Sequence, residues 1–151
     1  MTANELQHLT EWLSMTFFKK PFAHQARFNN KLRTTGGRYL LKSHDIELNY
    51  KHYAQFGKDE LIGIIKHELC HYHLHIEGRG YKHADADFKE LLKAVGAPRH
   101  CQTIQRETTV LYYKCNQCDQ VYRRKRRINT KNYVCGICRG TLKFFSKKSL
   151  R

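Results

Sequence analysis

Acidic residues are the scarce class in this sequence: 13 Asp and Glu stand against 28 Lys and Arg, for a formal net charge of +15. The scarcity is local. From Leu111 to Arg151 there are twelve Lys or Arg and one acid, Asp119, so +11 of the excess falls in that stretch. Such a tail suggests a polyanionic partner, with nucleic acid first, rather than only a solvated, solubilising end. Long apolar runs are also missing. The longest is Leu61–Ile65, five residues, far below the ~18 that a membrane span needs. Residues 1–18 include Glu5 and Glu11 and read as amphipathic, without the basic start or unbroken apolar core of a secretion signal. A membrane role is not expected, and a reducing cytosol is. No internal repeat longer than CxxC is present, and the one low-complexity tract is Arg123-Arg124-Lys125-Arg126-Arg127.

With 151 residues and 40% hydrophobic content, the chain can build one compact core but not two generous ones. A second module then needs metal or disulfides in place of a core. Four of the six cysteines form two CxxC pairs, a spacing that favours thiolate–metal chelation over a secreted disulfide framework.

Along the chain, Thr2-Ala3-Asn4-Glu5 matches a capping box. Leu6, Leu9, Leu13 and Phe17 follow at helical spacing, predicting a helix to about Phe18 that Pro21 closes. Gly36-Gly37 marks a turn, after which Tyr39–Leu41 and Asp45–Asn49 read as two strands of a small antiparallel sheet. From about Lys58 to Ile76 the period is helical again, with Leu61, Ile64, Ile65, Leu69 and Tyr72 as a wide apolar stripe and Gly78 and Gly80 as terminators. A further helix is predicted over 85–95, closed by Gly96 and Pro98. Beyond a linker around 99–109 come short β-prone pieces: Val110–Tyr113, Tyr133-Val134 and Thr141–Phe145.

The predicted 58–76 helix contains His67-Glu68-Leu69-Cys70-His71. Histidines four apart stack on one helix face, where both imidazoles reach a single ion. Glu68 is offset to lie beside that ion, placed to take a proton from water that zinc has acidified. Catalytic zinc usually keeps three protein ligands. Gly78 and Gly80 let the chain turn back, and His83 follows; Asp85, Asp87 and Glu90 remain alternatives. His75 lies two turns from His67, roughly 12 Å along the axis and too far for one ion. His73 points elsewhere, so both are expected at the surface or behind the ligands. Leu74 and Glu77 occupy the places of the Gly and third His of the HExxHxxGxxH pattern, which excludes it. Cys70 is expected to be a small buried thiol.

Cys115-Asn116-Gln117-Cys118 and Cys135-Gly136-Ile137-Cys138, sixteen residues apart, read as the two knuckles of a zinc ribbon. A four-cysteine site leaves no position for water, so its role is structural. Cys101 falls in the linker without an evident partner. Between the knuckles, Arg123, Arg124, Lys125, Arg126 and Arg127 offer cations to phosphates, with Tyr112, Tyr113, Tyr122 and Tyr133 nearby to stack on bases. Those aromatics can equally form the ribbon's core, the expected role for Tyr133.

The stretches Gly36–Leu40, Ile46–Asn49 and Leu61–His71, then His83 and Phe88, resemble the SprT-like family, which includes bacterial SprT-type proteins and the DNA-dependent protease Spartan. The similarity covers nearly the whole chain and looks closest to the short Gram-positive members. It implies an α+β chain: a small zincin-like domain over 1–105, of helices plus a short antiparallel sheet, followed by a basic zinc ribbon over 106–151. It further implies His67, His71 and His83 as zinc ligands and Glu68 as the catalytic acid/base. Two functions then stand as expectations. One is a zinc metallopeptidase, brought by its ribbon to nucleic acid, cleaving bound or crosslinked protein there. The other is a zinc-stabilised nucleic-acid-binding or regulatory protein whose HExxH site is idle.

Overall fold

A computed structural model describes residues 1–104 and 108–150. The chain divides into two compact units, Met1–Ile104 and Gln105–Arg151. The first contains helix α1 (Ala3–Leu13), a π-helical turn (Ser14–Phe18), strands β1 (Ala26–Phe28), β2 (Gly37–Tyr39) and β3 (Ile46–Leu48), and helices α2 (Tyr50–Phe56), α3 (Lys58–Ile76) and α4 (Ala86–Ala94). The second contains strands β4 (Thr108–Cys115), β5 (Val121–Arg124) and β6 (Leu142–Leu150). No helix among the described residues is long and apolar enough to cross a membrane.

The capping box at Thr2 forms in both directions, Glu5 N–H to Thr2 Oγ1 at 3.2 Å and Thr2 N–H to Glu5 Oε2 at 2.6 Å. Leu6 and Leu13 are fully buried, but the apolar register then slips. The π turn holds one extra residue, so Phe18 enters the core while Phe17, the residue α-helical spacing selects, stays 40% exposed. Ser14 is buried in the turn and hydrogen-bonds His73 Nε2 at 2.7 Å. His73 is therefore a core residue, correcting its expected place at the surface or behind the ligands.

The sheet has the order β1-β3-β2. Strands β2 and β3 pair antiparallel, Gly37 with Leu48 and Tyr39 with Ile46, as the turn between them requires. The sheet is nonetheless mixed, because β1 pairs parallel to β3. Three residues of β1 are too few for an alternation to register in sequence. All three residues of the central strand are buried, including Glu47, whose carboxylate accepts from Arg27, Asn29 and Arg38. Helix α2 also went unforeseen. Asn49 caps it, accepting from Lys51 N–H, and Gly57 at φ 86° separates it from α3. Helix α3 spans the predicted Lys58–Ile76, and its face Leu61, Ile65, Leu69, Tyr72 joins the core with Phe88 and Leu92 of α4.

In the second unit β4 is central, in the order β5-β4-β6, all antiparallel, with a bulge between Tyr112 and Tyr113. Its buried cluster is Cys115, Cys135 and Leu142, with Tyr122 and Ile128 against it. Tyr133 is 61% exposed, so it is not the core residue expected. Its neighbour Val134 forms only an isolated bridge to Thr141. Tyr113 takes the buried role, since its position on the central strand gives it neighbours on both sides.

Candidate metal centres

Helix α3 carries His67 and His71 one turn apart, and a sharp reversal brings His83 back to them. The helix stops at Gly78, which takes φ 68° and lets Arg79 N–H bond back to Leu74 C=O at 2.9 Å. Asp85 crowds Gly80 so closely that an added Cβ would lie 2.8 Å from it. Asp87 accepts from the Gly80 N–H at 3.0 Å. His83 Nε2 then lies 3.0 Å from His67 Nε2 and 3.1 Å from His71 Nε2. Tetrahedral zinc with Zn–N of about 2.0–2.1 Å needs nitrogens roughly 3.3 Å apart, so the triad fits that ion. Asp85 and Asp87 are engaged in the turn and its ion pairs instead.

The imidazole nitrogens are arranged as a metal would require. His67 Nδ1 donates to Pro98 C=O at 2.8 Å and His71 Nδ1 to Tyr81 C=O at 2.5 Å, which leaves each Nε2 lone pair facing the centre. Burial pushes His67 below its ordinary value and His71 down to about 4, so both are held neutral, as ligation requires. Phe88 stacks on His71 at 4.3 Å and stands edge-on to the other two rings.

Glu68 is buried on α3 beside this triad and lines the same cleft, a cavity of about 710 Å³. Burial pushes its carboxyl up to about 8, against a hydrogen bond from the Tyr39 main chain that pulls the other way. The cleft's remaining walls are the edge strand β2, Leu41, and the segment 98–103. Sequence reasoning left two of its neighbours out. Tyr39 is one; its hydroxyl bonds Nδ1 of both His44 and His75, at 2.7 and 2.6 Å. Cys101 is the other, placed in the wall rather than in a free linker. Cys70 is fully buried, as expected of a structural thiol.

The second candidate centre gathers Cys115, Cys118, Cys135 and Cys138. Sγ separations of 3.4 Å (115–138) and 3.6 Å (118–135) are too long for a disulfide and close to the ~3.8 Å edge of a tetrahedral Zn–S₄ site. The knuckles repeat one geometry. Asp119 and Arg139, each directly after a knuckle's second cysteine, adopt φ of 61° and 60°, and each knuckle directs a main-chain N–H at a sulfur. The Tyr122 hydroxyl, 3.1 Å from Cys135 Sγ, is the largest influence holding that thiol down to about 6. These features suit thiolate binding of zinc.

The basic run beyond does not act as a block. Arg123 and Arg124 end β5, where alternation puts Arg123 on the face of its partner Tyr112 and Arg124 on that of Leu111. Lys125 and Arg126 lie in the bend that follows, and Arg127 in the irregular segment after it. All five are exposed, and none forms an ion pair among the described residues.

Two family models match the chain: the SprT-like family over residues 6–109 and the SprT-like zinc ribbon domain over 112–146. Among relatives, Protein SprT-like of Bacillus cereus (strain B4264) is 59% identical over 99% of this chain and 100% of its own length. Protein SprT-like of Bacillus anthracis (strain CDC 684 / NRRL 3495) is 57% identical with the same coverage. No solved structure matches. The two units, with their histidine and cysteine groups in the places described, thus belong to one chain of the SprT-like family.

Proposed function

We propose that this protein is a zinc-dependent metallopeptidase whose basic ribbon brings it to nucleic acid, DNA by the family resemblance, where it cleaves bound or crosslinked protein. The observation that carries the reading is the buried Glu68 beside three converging Nε2 atoms, in a cleft wide enough for a peptide. Zinc held by His67, His71 and His83 supplies a Lewis acid that polarises a substrate carbonyl and acidifies water. Glu68 holds the proton taken from that water and returns it to the leaving amine. Burial alone raises its carboxyl, and a cation held by the neighbouring histidines would draw it back toward the ionised form that accepts the proton. Edge strand β2 lines the cleft with no strand on its outer side among the described residues, so an extended substrate can add main-chain bonds there. The ribbon's second zinc is structural, and its thiolates suit a reducing cytosol. Five exposed cations in the same unit, none in an ion pair among the described residues, offer phosphate contacts.

The test is hydrolysis of a DNA-bound protein, with and without DNA, by wild type and Glu68→Gln. Glu68→Gln should keep both zinc ions and its DNA affinity while losing at least ~10²-fold in rate. Wild type that binds DNA through 123–127 but hydrolyses nothing would establish the binding-module alternative. Full activity in Glu68→Gln would place the chemistry elsewhere.

A further inference from the structure

Residues 98–104 have no regular secondary structure, yet side chains from two helices clamp them. The Gln102 C=O accepts from His52 Nε2 of α2 at 2.6 Å, and the Gln102 N–H donates to Glu60 Oε1 of α3 at 2.8 Å. Both main-chain groups of one residue are therefore held by side chains. Four residues earlier, Pro98 C=O holds His67 Nδ1, and the Pro98 ring sits so close to Gly63 that an added Cβ there would lie 3.1 Å away. Cys101, between the two anchors, is packed partly buried against the core. Pro98, Arg99, His100, Cys101 and Thr103 together form one wall of the metal cleft.

His52 is an odd choice for its place. It is fully buried beside Phe56, and its Nδ1 has no hydrogen-bond partner among the described residues. A leucine there would fill the space without leaving a buried nitrogen unmatched, and an unmatched buried nitrogen is costly. The one polar contact that offsets this is the bond to Gln102, and a buried unmatched group calls for a reason.

We propose that His52 and Glu60 are positioning residues for the histidine metal site, acting through the strap 98–104. By fixing Gln102 they fix the Pro98 carbonyl, which orients the His67 ring and sets its ligating nitrogen, and they hold the cleft wall at its width. The chain runs from the end of this strap directly into the ribbon unit, so the element that orients a ligand is also the covalent link to the basic module. The proposal rests on the histidines binding zinc.

The experiment uses the full-length, zinc-loaded chain and the variants His52→Leu, Glu60→Ala and His52→Gln. Two quantities are followed: zinc released to a colorimetric chelator, and N-ethylmaleimide labelling of Cys101 mapped by mass spectrometry. The ribbon's zinc is the internal control. His52→Leu and Glu60→Ala should each speed Cys101 labelling and raise zinc loss from the histidine site about tenfold or more, the lower range for losing an outer-shell partner. His52→Gln, whose amide N–H can replace the imidazole donor, should restore both toward wild type. Faster labelling with unchanged zinc loss would overturn the proposal, as would no change in either. It also falls if zinc loss tracks melting temperature across the three variants instead of Cys101 exposure, since that marks a merely structural role. A wild type that retains only the ribbon's zinc would instead remove the peptidase reading itself.

Discussion

The histidine and cysteine centres stand in units that obtain their order by opposite means. Around the histidines, seventeen buried residues form one apolar cluster. Around the cysteines, the cluster numbers three, and two of those are the ligands Cys115 and Cys135. Burying an aliphatic or aromatic side chain gives ~1.5–3 kcal/mol, so the first unit is held by its core whether or not metal is present. The second has Val110, Leu111, Tyr113 and Leu142 besides its cysteines, and the sheet ladder. A structural zinc contributes on the order of 10–16 kcal/mol in such modules, far more than that remnant of a core. One centre is a site placed on a fold; the other is the reason its fold exists.

The comparison predicts its own strongest test. Cys115→Ser should unfold the region beyond about residue 108 while the helical unit persists, visible as rapid proteolysis of the C-terminal third with a protease-resistant remainder. A mutant tail as resistant as wild type would show that the ribbon does not depend on its metal. His83→Ala should do the reverse. His83 is exposed on a loop, so the bound zinc should fall from two to one per chain with the helices intact and the melting temperature lowered mainly by the lost ligand. If Asp85→Ala or Asp87→Ala empties the site and His83→Ala does not, the third ligand is misassigned.

The same contrast explains how much could be read from sequence. In the first unit α3 was legible, because an apolar stripe from Leu61 to Tyr72 and two glycines beyond it leave little freedom. The convergence of His67, His71 and His83 was legible because i, i+4 spacing and the return to His83 are local. What was not legible came from tertiary context. The π turn that exchanges Phe17 for Phe18 exists to bring Ser14 to His73, a partner 59 residues away. Strand β1 is too short to announce itself, and its parallel pairing is non-local by construction. The cleft wall at 98–103 reads as linker in one dimension because its anchors, His52 and Glu60, are distant in sequence. In the ribbon, the CxxC spacing gave the ligands, but not which aromatics are buried, since so small a module leaves most of its surface outside.

Glu47 gives a smaller effect that belongs to the core-built unit alone. Its side chain is 6% exposed on the central strand and bridges Arg27 and Arg38, themselves half exposed. Burial pushes the carboxyl up, but Asn29, Arg38 and Arg27 outweigh it and leave it below its ordinary 4.5. A lowered folded-state value stabilises the fold above the unfolded value, and that contribution is lost as pH falls through the lowered one. Glu47→Gln should therefore cost about 1–3 kcal/mol at neutral pH, a range reduced for the exposed arginines. The gap between mutant and wild type, followed by urea denaturation, should close as pH drops below about 4.5. A gap that does not narrow at all as pH falls below 4.5 would mean that the charge of Glu47 does not carry the effect.

The smallest expected effect lies at Tyr133 and bears most directly on how thin the ribbon's core is. At 61% exposure, and with its ring outside the cluster of Cys115, Cys135 and Leu142, Tyr133→Ala should change the stability of the zinc-loaded chain by no more than about 0.5 kcal/mol, the range for exposed positions. Tyr113→Ala is the contrast. Its ring is 3% exposed, sits 5.8 Å from that of Phe144, and its hydroxyl accepts from Ile128 N–H at 3.2 Å. Truncating a buried aromatic costs on the order of 3–5 kcal/mol. Nucleic-acid binding should rank the two the other way. An exposed ring in the basic unit is free to stack on a base, worth about 1–3 kcal/mol, so Tyr133→Ala should weaken single-stranded binding several-fold while the fold stays intact. Denaturation and binding titrations on the same protein decide it. A Tyr133→Ala chain that loses stability and keeps its affinity would mean that the core extends past the cysteines, and that the metal carries less of this unit than the comparison assigns to it.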